Sequence, residues 1–137
     1  MATFKPLYAA EASVTVTGFN SLANGSTATS NAVDNSSNLY QDYHIRVNVA
    51  GTATTTAWLE VRLLASPDNS AYDVWESGIP LGAINLSATP QQATFSLLNV
   101  LYQAPKYFKI AIKNNTGAAL SGSGNTVNVQ GIQVQSV

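Results

Sequence analysis

A chain of 137 residues with a net charge of −1 and no cysteine fits one domain that is held by its own core rather than by disulfides. Its 45% apolar content excludes an intrinsically disordered chain, and six scattered basic residues exclude the concentrated Lys/Arg surface of a nucleic-acid binder. No apolar run approaches a membrane span, and Met1–Tyr8 lacks the basic start and apolar stretch of a secretory signal, so an unexported protein is expected.

The first ten residues form an N-terminal arm whose Pro6 opposes helix and whose Phe4, Leu7 and Tyr8 are too apolar for a free tail. Alternation over Ser13–Phe19 predicts the first strand of a domain spanning 11–137. The Ser/Asn/Thr/Gly-rich run from Ser21 to Asn38 reads equally as a loop or as two extended segments around Ala28 and Val33, and a short strand within Ser26–Val33, between turns at Asn24-Gly25 and Asp34-Asn35, is the favoured expectation. Leu39–Ala50 carries the clearest pattern: Tyr43, Ile45, Val47 and Val49 share one face, and His44, Arg46 and Asn48 the other.

After a connection over Gly51–Thr56, Trp58–Ala65 places Leu59, Val61 and Leu63 opposite Trp58, Glu60 and Arg62. Ser66–Ser70 is a turn cluster, and short strands are predicted at Tyr72–Glu76, Leu81–Asn85, Ala93–Leu101 and Tyr107–Lys113. In the last of these, Lys106, Lys109 and Lys113 read as a solvated strand face. Within Asn125–Val137 the apolar parity shifts between Val127/Val129 and Ile132/Val134, and a β-bulge at Gly131 would bring all four to one face. About eight short strands without a helical window predict an all-β antiparallel two-sheet sandwich, jelly-roll-like in wiring.

The sequence offers little chemistry. His44 is the single histidine, no nucleophile elbow or phosphate loop occurs, and a lone His with no Cys cannot build a zinc site. Asp68, Asp73 and Glu76 cluster, with Asn69 and Ser70 as further oxygen ligands, but at no spacing of a calcium loop. Neither metal nor cofactor is expected, and the reading is non-enzymatic. Tyr72 and Trp75 beside Asp68, Asn69 and Asp73 could make a glycan platform, yet on a regular strand the two rings would point apart. Sequons at Asn24, Asn35, Asn85 and Asn114 carry little weight in a chain so rich in Asn, Ser and Thr.

One pattern goes beyond composition. The run Ser21-Leu22-Ala23-Asn24-Gly25, then Ser30-Asn31-Ala32-Val33-Asp34-Asn35 and Asn38-Leu39-Tyr40, resembles small structural proteins of tailed-bacteriophage virions. Glu60–Asp68, and Tyr107–Leu120 followed by Gly124-Asn125, are similar to their strand-then-turn and C-terminal hairpin, so the match spans roughly residues 20–130. The resemblance implies a jelly-roll capsid cement or decoration protein on the outer capsid surface of the virion, made in the host cytoplasm. It would bridge major capsid protein subunits and assemble as a homo-oligomer, with a trimer favoured and no nucleic-acid or membrane partner. It transfers no catalytic residue. The arm residues Phe4, Lys5, Pro6, Leu7 and Tyr8 are the expected capsid or subunit interface, and a tail- or fibre-associated glycan-binding module using Tyr72 and Trp75 is the alternative.

Overall fold

The computed structural model describes residues 3–51, 58–86 and 90–136, so Met1 and Ala2 of the arm, most of the Gly51–Thr56 connection and Val137 lie outside the described residues. Eleven strands among these residues form two antiparallel sheets packed face to face. They are β1 (Phe4–Tyr8), β2 (Ala12–Val14), β3 (Val16–Thr17), β4 (Thr27–Ser30), β5 (Val33–Asp34), β6 (Asp42–Val49), β7 (Trp58–Ser66), β8 (Ile79–Asn85), β9 (Gln91–Ser96), β10 (Tyr107–Asn114) and β11 (Thr126–Ser136).

The first sheet runs β1-β11-β6-β9, with β2 also on β11; the second runs β3-β4-β10-β7-β8, with β5 also on β10. The pairing is nested: β1 and β2 with β11, β4 and β5 with β10, β6 with β9, β7 with β8. That wiring is a jelly roll. Of the nine strands named from the sequence, Tyr72–Glu76 does not form, two are each broken into two, and the arm adds β1, which makes eleven. The first changes sheet between Val14 and Val16, and the Thr27–Asp34 stretch is interrupted at Asn31-Ala32, giving the two extended segments weighed there.

Alternation in β6, β7 and β10 fills the space between the sheets with Ile45, Val47, Leu59, Leu63, Phe108, Ile110 and Ile112, all essentially without solvent contact. Tyr43 packs edge-on against Phe108 (5.1 Å between centroids) and against Tyr40 (5.5 Å), closing one end of the core. Burial pushes the Tyr43 hydroxyl up to about 12, with Tyr40 and Asp34 adding to the shift. Because folding favours its protonated form, this contribution is whole below the ordinary tyrosine range near pH 10 and is lost as pH rises to about 12. Two units correspond to about 3 kcal/mol. Tyr43→Phe is expected to flatten the alkaline limb of a stability–pH profile, measured by urea unfolding between those limits.

The predicted bulge at Gly131 is absent. β11 pairs with β6 in unbroken register from Thr126↔Asn48 to Ile132↔Asp42, so Val127 and Val129 face the core while Ile132 and Val134 face outward. Gly131 serves a different purpose: a Cβ there would lie 2.2 Å from Cδ2 of Tyr40. The Tyr40 backbone is itself fixed, since Asn35 Oδ1 accepts its N–H (2.8 Å) and Asn35 Nδ2 donates to its carbonyl (2.9 Å). Gly131→Ala is therefore expected to cost about 2–3 kcal/mol. Denaturant midpoints should show most of that loss vanishing in a Tyr40→Ala background. The bulge in this fold sits in β8, where Leu81 is the extra residue opposite Val61/Arg62 and Gly82, at φ +153°, passes beneath Phe95.

Two further expectations are corrected. Tyr72–Glu76 is not a strand but an irregular stretch ending in a 3₁₀ turn at Trp75–Ser77, and β9 stops at Ser96, before a second such turn at Leu97–Asn99. In the first case Arg62 Nη1 donates to the Trp75 carbonyl (2.7 Å), and in the second Asp42 Oδ1 accepts the Leu98 N–H (3.1 Å). Both stops are imposed by residues distant in sequence.

The asparagines explain much of the loop order. Asn35, Asn114 and Asn125 are buried, and each amide joins segments that the sequence separates widely. The Asn35 and Asn114 sequons thus have side chains committed inside the fold.

Candidate docking surface

β6 ends at Asp42↔Ile132, whereas β1 continues to pair with β11 as far as Phe4↔Ser136. Residues 4–7 and 133–136 therefore form a two-stranded ribbon running past the end of the sandwich. Such a ribbon is marginal by itself, and this one buries little: Phe4 is 66% and Tyr8 55% exposed, and Leu7 and Val134 are nearly half exposed. Register places Phe4, Pro6, Tyr8, Ile132 and Val134 on the outer face of the first sheet, and Lys5 and Leu7 on the other.

Pro6 defines what this ribbon can do. Ala9 N–H donates to the Gly131 carbonyl (2.9 Å), so the odd-numbered residues of β1 bond to β11 and Pro6 occupies a position whose N–H would point away from the sheet. The outward edge thus lacks a donor at its middle, beside Lys5, and resists pairing with a foreign strand. Its side chains are left as the contacting groups.

Sequence reasoning missed a second group at the same end. The loops over 35–41 and 97–105 expose Leu39 (66%), Leu98, Val100 and Tyr102 (100%), around a hollow of about 450 Å³ lined by Leu39, Gln41, Leu98, Tyr102 and Gln103. Gln41 N–H donates to the Ile132 carbonyl (3.0 Å) and Ala104 N–H to the Gln41 carbonyl (2.9 Å), which ties these loops to the point where the ribbon leaves the body. Leu39 adopts φ +53°, a region that β-carbon-bearing residues other than Asn and Asp rarely use. An exposed leucine held there costs twice, in strain and in hydration. Leu39→Asn is expected to leave the protein as stable or slightly more so, readable by thermal melting, because asparagine tolerates this backbone region better than leucine.

The other sequence-derived candidates are placed elsewhere. Tyr72 and Trp75 lie over the outer face of the second sheet, and contrary to strand parity they share it. Lys109 Nζ sits 4.3 Å from the Tyr72 ring centre, while the Arg62 guanidinium lies 4.6 Å and Lys113 Nζ 5.9 Å from that of Trp75. Trp75 is half-buried, not core, and the cations from β7 and β10 hold the 67–78 segment onto the sheet. Arg62 is satisfied by Glu60 and by the Trp75 carbonyl.

Asp68 caps its own turn: the Ser70 and Ala71 backbone N–H groups, then the Ser66 hydroxyl, hold its carboxyl below the usual range. Asp73 accepts the Ala65 N–H (3.2 Å). Among the described residues, no cluster of three or more His, Cys, Asp or Glu could hold a metal ion. His44 Nε2 lies 3.9 Å from Asp42 Oδ2, and Ser96 Oγ donates to that same carboxylate (2.7 Å). The hydroxyl thus meets the acid instead of the imidazole, an order that provides no base to activate it.

No protein-family model matches the chain, and no curated protein does. Among solved structures it is similar to a Bacillus endospore appendage protein of disulfide-linked pili, at 14% identity and a TM-score of 0.40 over 100% of this chain and 91% of that one. It is also similar to a glycoside hydrolase family 43 arabinoxylan arabinofuranohydrolase from Bacillus subtilis (20% identity, TM-score 0.35, 85% of this chain and 20% of that one). A third similar structure is one of the carbohydrate-binding modules of the β-sandwich superfamily (13%, 0.37, 96% and 56%). Overlaps this loose carry no inference about function.

Proposed function

We propose that the protein is a non-enzymatic virion structural protein of the capsid cement type, which stabilises a tailed-phage head by bridging major capsid protein subunits. The observation that carries this reading is the exposed apolar end: a ribbon with Phe4 and Val134 on one face and Leu7 on the other, and loops that expose Leu39, Leu98 and Tyr102 at the same end of a near-neutral protein. A patch of this kind needs a covering partner, and the resemblance over residues 20–130 supplies one. A homotrimer on the outer capsid surface is the assembly that follows from it. Uncharged polar faces suit repeated contacts of modest strength, whose effect multiplies over a lattice.

The glycan platform at Tyr72 and Trp75 is the weaker reading, because cations cover ring faces that a sugar would stack upon. Electron microscopy of particles with and without the protein tests the proposal. Density of jelly-roll size over joints between capsid subunits is the expected result; density confined to the tail, or none on the particle, rejects it.

A further inference from the structure

The β1 arm is held by one neighbouring strand and contributes nothing to the core. All five of its residues are exposed, and it pairs with β11 alone. Beyond those pairs, Tyr8 meets His44 with 6.3 Å between ring centres. Because Ala9 N–H donates to the Gly131 carbonyl, alternation makes Leu7↔Gln133 and Lys5↔Gln135 the hydrogen-bonded pairs of the arm. Two such pairs in a two-stranded ribbon are a marginal hold.

A pivot stands where the arm leaves the body. β1 reaches Gly131 at Ala9, and β2 resumes at Ala12↔Val129, so Ala10 and Glu11 both lie opposite Gln130. Two residues against one is a bulge, which bends a strand and interrupts its ladder. This bulge is fixed on the body side. Glu11 Oε1 accepts from Asn128 Nδ2 (2.8 Å) and from Arg46 Nη2, and Gln130 Nε2 donates to the Ala9 carbonyl (3.0 Å). Residues 4–8 can therefore swing out while the chain from Ala9 onward keeps its bonds.

Release of the arm bares the β1-facing edge of β11 over residues 132–136. That edge is the same in every copy and accepts this sequence in this register. A second copy is thus the partner that matches it, since the pairs gained are identical to the pairs given up. Pro6 leaves the outer edge of a seated arm without a donor at its middle, so the arm recruits no further strand. We infer that β1 is an exchangeable arm, which pairs with β11 of a second copy in the register it keeps with its own. The inference rests on the homo-oligomer in the proposed function and names its interface; the capsid plays no part in it. A short tether gives the arm's own β11 an effective concentration of roughly millimolar order, so exchange belongs to copies held at that density.

A chain without cysteine makes the test clean. Hydrogen-bonded partners lie about 5.5 Å apart at Cα, within the span of a disulfide. Leu7→Cys protein is mixed with Gln133→Cys protein at about 1 mM in a glutathione redox buffer, to match the tethered concentration. Non-reducing gels and mass spectrometry read the linked species. Leu7→Cys mixed with Thr27→Cys, an exposed position on the other sheet, measures chance collision. The dimer joined through positions 7 and 133 should exceed the control dimer at least about tenfold. The double variant Leu7→Cys/Gln133→Cys, dilute, should close within one chain and so verify the register. If either substitution unsettles the fold, Lys5→Cys with Gln135→Cys repeats the test one pair further out. Mixed dimers no more abundant than the control, or a double variant that fails to close, overturn the inference. Sedimentation at the same concentration separates the two readings: an oligomer without mixed disulfides overturns only the exchange, whereas a monomer overturns the homo-oligomer with it.

Discussion

Deleting residues 1–7 should, on the capsid-docking proposal, abolish binding to phage heads while leaving the sandwich folded. The loss falls on the ribbon, where β1 meets only the exposed end of β11, so the core between the two sheets keeps every buried side chain. Tyr8 is retained, and with it the cover over Ile132 and the contact with His44. Removing Phe4, Leu7 and their strand takes away apolar surface that docking would bury. At roughly 1–2 kcal/mol for each half-exposed apolar side chain, this amounts to about 3 kcal/mol, or a factor near one hundred per copy. Repetition across a capsid enlarges that factor. Occupancy on purified heads, read by gel densitometry, should fall close to zero, with the thermal midpoint of the free protein moved by only a few degrees. Full occupancy by the truncated protein, with an unaltered melt, would remove the ribbon from the docking surface.

The sequence showed the ribbon's composition but not its setting. Phe4, Leu7 and Tyr8 stand out locally as too apolar for a tail, and that alone marks the arm. The shift of parity after Val129 is equally visible but ambiguous in itself, because a bulge and a strand that leaves its sandwich produce the same pattern. Only pairing with β6 separates them: it stops at Ile132, and past that point an apolar residue such as Val134 has no core to face. The Tyr72–Glu76 alternation failed for a similar reason. Arg62 and Ser77 spend hydrogen bonds on that backbone, and a period of two says nothing about such competition. Leu39 and Tyr102 gave no local signal at all, since lone apolar residues in loops are common and a positive φ at a leucine is invisible in composition. The Glu11–Arg46 pair is half legible: the pattern puts His44 and Arg46 on the polar face of β6, while the reach of Glu11 across the sheet depends on a contact 35 residues long.

The largest single-residue effect on stability is expected at Asn114, and it follows from the composition that first marked this chain as polar. Asn114 closes β10 with no solvent exposure. Its Nδ2 donates to the carbonyls of Leu22 and Ala118 (2.8 Å each), and its Oδ1 accepts the Thr116 N–H (2.9 Å). Its backbone joins the same knot, accepting from Gly25 N–H (2.7 Å) and donating to the Ser26 carbonyl (3.0 Å). One amide thereby fixes the loop before β4 against the turn after β10. Asn114→Ala would orphan the Thr116 N–H in the interior, while the Leu22 carbonyl keeps the Leu120 N–H (3.0 Å) and the Thr116 hydroxyl still serves Ala118 (2.8 Å). At about 1–3 kcal/mol for the unsatisfied N–H and about 1 kcal/mol for each of the two hydrogen bonds lost to the carbonyls, the expected loss is about 3–4 kcal/mol, a large part of what holds a domain of this size. Asn114→Asp separates this account from simple loss of volume. It keeps shape and acceptor but loses both donors and buries a carboxylate, so at neutral pH it should destabilise more than alanine does. Because burial favours the protonated acid, the excess should shrink as pH falls. An aspartate no worse than alanine in urea unfolding at neutral pH would mean that the amide fills space there and does not organise the loops.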